Sequence, residues 1–105
     1  MGRIVIVGYR PKPGKADELR EMLATHAAGL YEEALATSRD NVLMEAADGT
    51  IIEVFEWVSS EALAAAHKNP AVLAMWEAFS EVCDYVPVGE LPECGQLFSE
   101  FEALN

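Results

Sequence analysis

Three patterns in the sequence predict an α+β fold: a β-branched opening run at residues 3–9, RIVIVGY; apolar residues spaced by three and four from Lys15 onward; and two apolar runs flanking Asp48-Gly49. The opening run lacks polar alternation, which suits a strand covered on both faces, and Pro11, Pro13 and Gly14 end it. Leu19, Met22, Leu23, Ala27, Leu30, Ala34 and Leu35 then form one stripe opposite Asp17, Glu18, Glu21, Glu32 and Glu33, so an amphipathic helix is expected to end near Ser38. Gly29 inside it costs about 1 kcal/mol of helix propensity relative to alanine, which points to a kink or a close contact.

Residues 42–46 and 51–58 read as a β-hairpin, because Asp-Gly tolerates the positive φ angles of a tight turn. Ser59 or Ser60 can cap the next helix, with Glu61 in its first turn where the helix dipole favours an acid. That helix runs from Leu63 to Lys68. Asn69-Pro70 then supplies a new cap and a first-turn proline, so a second segment is expected from Pro70 to about Asp84, with Val72, Leu73, Trp76, Phe79 and Val82 as its stripe. After Tyr85 the chain is punctuated by Pro87, Gly89, Pro92 and Gly95, and residues 96–101, QLFSEF, are the expected last strand. The order strand, helix, strand, strand, helix, strand is that of a ferredoxin-like split β-α-β sandwich, a four-stranded antiparallel sheet with its helices on one face.

A length of 105 residues suits one domain spanning 1–105, and an apolar share of 51% argues against disorder and leaves a surplus for an interface. Eighteen acids against seven bases, a formal charge of -11, repel phosphate backbones and anionic lipid, so no nucleic acid partner is expected; the same charge favours solubility. Residues 4–7 are too short for a signal sequence, and no apolar run approaches the roughly 20 residues that span a bilayer. A cytoplasmic protein without a membrane segment is expected. Cys83 and Cys94 form no CxxC pair and read as reduced, idle thiols.

A sheet with helices on one face normally turns a polar face to water. Here strand alternation puts Ile52, Val54, Glu56 and Val58 on one face and Ile51, Glu53, Phe55 and Trp57 on the other, while the first strand is apolar on both. The second face needs a cover. A second copy of the chain supplies one in a homodimer, since one patch serves both partners of a two-fold pair. The alternative is a monomer in which residues 87–105 fold across that face.

The opening strand followed by Arg10-Pro11-Lys12-Pro13-Gly14-Lys15 and a helix, the strand ending in Glu56-Trp57, the run Ser59-Ser60-Glu61-Ala62-Leu63, and His67 followed by Pro70 and Trp76 form a recognisable set. In these residues the chain resembles the dimeric α+β barrel superfamily, in particular the antibiotic biosynthesis monooxygenase-like domains, over roughly residues 3–84. The resemblance implies a homodimer with a small pocket between sheet and helices in each subunit. Some relatives oxidise quinol-like or polyketide aromatics with dioxygen and no cofactor, and others degrade haem. The haem-degrading branch uses a histidine on the second helix with a supporting asparagine and tryptophan. That position falls near Trp76 here and the first strand has no asparagine, which argues against haem.

The sequence has no GxGxxG or GxxxxGK[ST] loop for a nucleotide, no His or Cys spacing for a metal, and no GxSxG nucleophile elbow. No cofactor is expected. What remains is a set of polar groups on apolar elements. His26 lies between Met22, Leu23 and Leu30, where burial favours a neutral imidazole able to take a proton; a core histidine bonded to a backbone carbonyl fits equally. His67 closes a helix, as a candidate base or as a cap on unsatisfied carbonyls. Glu53 and Glu56 alternate in an apolar strand, so one faces inward, either for acid-base work or in an ion pair with Arg3, Arg10 or a partner subunit. Tyr9, Tyr31, Phe55, Trp57, Trp76, Phe79 and Tyr85 are candidates to line a pocket for a flat aromatic ligand. Two functions follow: a phenol- or quinol-oxidising, cofactor-independent monooxygenase with His67, His26 or Glu53 as base, His67 first, or a non-catalytic dimeric ligand-binding or stress-associated module.

Overall fold

The computed structural model describes residues 2–105. Its elements are β1 (Arg3–Pro11), α1 (Ala16–Glu32), β2 (Val42–Glu45), β3 (Ile51–Trp57), α2 (Ser60–Ala66), α3 (Pro70–Val82), β4 (Cys83–Val86) and β5 (Glu102–Ala103). They form an α+β structure whose sheet has the order β4-β1-β3-β2-β5 with every neighbouring pair antiparallel.

Strand alternation sorts the sheet into two faces. The β1–β3 register opposes Val5 to Phe55, Val7 to Glu53 and Tyr9 to Ile51, so these six side chains share one face. Leu19 and Leu23 of α1 and Phe79 and Val82 of α3 pack with Tyr9 and Ile51, and Leu30 and Val72 pack with Phe55 and Trp57. The two helices approach closely at Gly29, where a Cβ would stand 2.9 Å from Met75 Cε. Of the two expectations for Gly29, the close contact is present, and it is with the flexible end of a side chain.

The local signals act where the sequence puts them. Gly49 takes φ 91° in the turn between β2 and β3, and the Ser59 hydroxyl accepts from the Ala62 N–H at 3.1 Å. Asn69 Oδ1 accepts from the N–H groups of Ala71 and Val72, and Pro70 begins α3.

All three helices differ from their expected bounds: α2 spans Ser60–Ala66, not Leu63 to Lys68, because Ser59 caps its start and the Lys68 N–H closes a tight turn on the Ala65 carbonyl. Helix α1 stops at Glu32, not near Ser38, because Ala34 turns to φ 60° and the N–H groups of Leu35 and Ala36 both return to the Leu30 carbonyl. Leu35 still reaches the core, delivered by this turn. Helix α3 stops at Val82, and residues assigned to its end form β4 along β1. The expected strand at 96–101 does not form; Leu97 and Phe98 are 93% and 81% exposed there, and the short β5 follows, paired with β2.

The sheet's other face is covered in part. Leu91 packs on fully buried Ile52, with Val88 and Phe101 beside it, so the segment after β4 folds over that end. Ile4, Ile6 and Val42 stay 57%, 54% and 48% exposed. Among the described residues no helix is long and apolar enough to cross a membrane.

Candidate functional site

Between the sheet and the helices lies a cavity of about 550 Å³. Val5, Val7, Phe55 and Trp57 form its floor, and Leu63, Leu73 and Trp76 its helical walls. Its polar lining is His26, Tyr9, His67, Ser80, Glu77 and Tyr85. A mostly apolar cleft with a few convergent polar groups is the usual form of a small-molecule site.

The chemistry is concentrated behind the floor. Alternation along β3 turns Glu53 toward the helices and Glu56 away from them, and Glu53 is 0% exposed. Its Oε1 accepts from the Tyr9 hydroxyl at 3.0 Å and lies 2.8 Å from His26 Nδ1; its Oε2 accepts from Asn41 Nδ2 at 3.1 Å. Trp76 Nε1 stands 3.4 Å from His26 Nε2. An indole N–H only donates, so Nε2 carries the lone pair and Nδ1 carries the hydrogen given to Glu53. Three donors therefore converge on one buried carboxylate, the coordination an anion requires away from water. Edge-on contacts with Phe55 and Phe79, at 5.6 and 5.1 Å between ring centres, fix the plane of the imidazole.

Burial, reinforced by the charge and hydrogen bond of Glu53, pushes the Tyr9 phenol far above its ordinary value, so it remains a donor. Tyr85, 50% exposed at the rim, is pushed up to about 12, chiefly by burial. The buried Cys83 thiol rises to about 11 by desolvation and then by the charge of Asp84. Both cysteines are free, and Cys94 is exposed.

His67 sits at the cavity mouth, exposed, with Nδ1 bonded to the Leu63 carbonyl at 2.9 Å; its ring meets Trp76 at 5.1 Å. Trp76 thus stands between the two histidines. His26 is bonded to a carboxylate and not to a backbone carbonyl. The inward acid, Glu53, therefore meets His26, Tyr9 and Asn41 and neither Arg3 nor Arg10, while Glu56, on the opposite face, pairs with Arg39 at 3.0 Å and accepts from the Thr37 hydroxyl at 2.9 Å. Arg39 and Thr37 hold the Glu56 carboxyl below its usual range.

Of the seven aromatic candidates, Tyr9, Phe55, Trp57, Trp76 and Tyr85 line the cavity. Phe79 does not; it is buried behind Tyr9 and His26 as packing. Tyr31 is outside, 55% exposed over a separate groove with Thr37 and Arg39, because α1 turns that position away from the sheet. Asn41 was not among the candidates. It precedes β2 in an irregular stretch, with no periodicity or motif to mark it.

The sequence matches no protein-family model and no curated protein. A carboxylate holding Nδ1–H aims the other imidazole nitrogen as a base and stabilises the cation formed when that nitrogen takes a proton. Here that nitrogen lies beside Trp76 on the cavity wall.

Proposed function

We propose that the protein is a cofactor-independent monooxygenase acting on a phenolic or quinol-like compound, in the manner of the antibiotic biosynthesis monooxygenase-like domains it resembles. The observation that carries this reading is the buried His26–Glu53 dyad opening onto an aromatic-walled cavity. The fold proposed with it is a ferredoxin-like split β-α-β sandwich in a homodimeric α+β barrel; the strand order β4-β1-β3-β2 and the exposed Ile4, Ile6 and Val42 support it. Two free thiols fit a cytoplasmic setting.

His26 replaces His67 as first choice for the base, because Glu53 orients it and its ring lines the cavity, with Nε2 held only by the long bond from Trp76, whereas His67 is solvated at the mouth. The phenol gives its proton to His26 Nε2 while Trp76 N–H turns to the new oxyanion; at 3.4 Å its present bond is long and readily exchanged. The electron-rich anion then reduces dioxygen. One oxygen atom becomes the new ring carbonyl, and the other leaves as water with the hydroxyl hydrogen, passed on from His26, and the ring C–H hydrogen, so the phenol loses four electrons to dioxygen in becoming a quinone. The apolar walls keep competing water from the anion.

The test is aerobic and anaerobic incubation with a panel of quinols and anthrones, followed by absorbance, for the protein and for His26→Ala and His67→Ala. Oxygen-dependent product that falls about 10²–10⁴-fold in His26→Ala supports the reading. Loss in His67→Ala alone returns the base to His67. One observation favours a second reading: Trp76 already occupies the His26 lone pair, as in a site that binds without turnover. Thermal stabilisation by the same compounds with no oxygen-dependent product would establish that ligand-binding role.

A further inference from the structure

We infer that Asn41 and Asn105 are positioning residues for the His26–Glu53 dyad, forming a clamp on the carboxylate oxygen turned away from the histidine. The inference rests on the proposed role of His26 as base. Oε2 of Glu53 has one partner, the Asn41 amide at 3.1 Å. Asn41 in turn receives Asn105 Nδ2 on its carbonyl oxygen at 3.1 Å and on Oδ1 at 3.4 Å. Asn105 Oδ1 accepts the Leu43 N–H at 2.9 Å, and the Leu104 N–H meets the Leu43 carbonyl at 2.8 Å, so Asn105 is itself tied to β2.

The polarity of the chain is what makes it a clamp. An amide has one donor end and one acceptor end. Because Asn105 donates to Asn41 Oδ1, the Asn41 amide nitrogen is the end left for Glu53. Donation therefore runs from Asn105 through Asn41 to Glu53, and meets donation running from Trp76 through His26 to the same carboxylate. With both oxygens occupied by donors, the carboxylate plane is fixed and Oε1 stays available to His26 and Tyr9. A cavity of about 250 Å³, lined in part by Asn41, Leu43, Leu104 and Asn105, adjoins this side. Releasing the clamp lets water from that cavity compete for the carboxylate, and His26 loses its fixed orientation.

The test uses the full chain labelled with ¹⁵N at histidine, with no ligand. Asn41→Leu keeps the side-chain size and removes the donor. Asn105→Asp, at an exposed position, keeps the oxygen that accepts from Leu43 and removes both donors to Asn41. In the parent protein the buried His26 Nδ1–H proton is expected to give a slowly exchanging signal, and in both variants its exchange with water is expected to accelerate about tenfold or more. For any phenol the parent oxidises, the same variants lower kcat and leave KM within about twofold. Unchanged Nδ1–H exchange in both variants overturns the clamp, even where melting temperature falls. Accelerated exchange in a protein that oxidises no phenol upholds the clamp and removes the reading of function.

Discussion

His26 and Glu53 are 27 residues apart in the chain and 2.8 Å apart at Nδ1 and Oε1, joining the buried stripe of α1 to the centre of β3. Glu53 is the only acceptor for the Tyr9 hydroxyl, His26 Nδ1 and Asn41 Nδ2 among the described contacts. Glu53→Gln keeps the shape but turns one acceptor into an NH₂ group that must face a donor. A loss of about 1–3 kcal/mol is expected in urea unfolding at neutral pH, because a buried polar group is left unpaired. His26 also loses the partner that sets its tautomer, so oxygen-dependent turnover falls with it. Unchanged unfolding of Glu53→Gln would show that the carboxylate is not the anchor of this network.

Alkaline pH should destabilise the protein through three groups that the fold holds neutral. Cys83, Tyr9 and Tyr85 all have folded values raised above their ordinary 9.0, 10.0 and 10.0. A raised value means the contribution to stability is complete below the unfolded value and is lost as pH rises through the folded one. Stability should therefore hold to about pH 9 and decline above it, with Tyr9 adding a slope of up to about 1.4 kcal/mol per pH unit once the unfolded phenol ionises. Tyr9→Phe should be less stable at neutral pH, having lost its bond to Glu53, yet show a shallower decline above pH 10. Parallel curves for the two proteins between pH 9 and 11 would contradict this.

Signals carried by adjacent residues are legible in the sequence alone. Asp48-Gly49, Ser59 and Asn69-Pro70 act through backbone conformation and single hydrogen bonds, so the hairpin and both helix starts lie where the sequence puts them. Leu35 misled because its spacing continues the α1 stripe, although a left-handed Ala34 takes it to the core by another route. Cys83 to Val86 continue helical spacing equally well, and only the free edge of β1 makes them a strand. Alternation announced that one of Glu53 and Glu56 faces inward. Choosing between them required knowing which face carries the helices, a tertiary fact. Asn41 and Asn105 were illegible because their role consists of bonds spanning 12 and 64 residues, which no local pattern encodes.

Two glycines should respond oppositely to alanine. At Gly8 a Cβ would stand 2.3 Å from the Val86 carbonyl oxygen, a backbone atom fixed by β1–β4 pairing. Gly8→Ala must spread the strands and is expected to cost about 1–3 kcal/mol, as overpacking does. At Gly29 the near atom is Met75 Cε, the end of a flexible side chain, which can turn aside. Gly29→Ala should then keep most of the roughly 1 kcal/mol by which alanine favours a helix over glycine. Thermal melts of the two variants decide it; a destabilised Gly29→Ala would mean that Met75 is locked by its surroundings.

The proposed homodimer makes Ile6 the most informative surface position. Ile4 and Ile6 project from β1 on the face away from the helices, more than half exposed, with Val42 on the same face of β2 and Val54 between them on β3. The segment after β4 covers the Ile52 end of that face and leaves this one open. Two such patches brought together by a two-fold axis would each be removed from water, whereas a lysine at Ile6 would bring two like charges into the middle of the contact. Because Ile6 is solvated within one chain, Ile6→Lys should leave the fold and the melting of the separated chain intact. Light scattering on a sizing column should then report a dimer for the parent at micromolar concentration and a monomer for Ile6→Lys. A parent that elutes as a monomer would remove the barrel from the proposal and leave the exposed isoleucines for another partner.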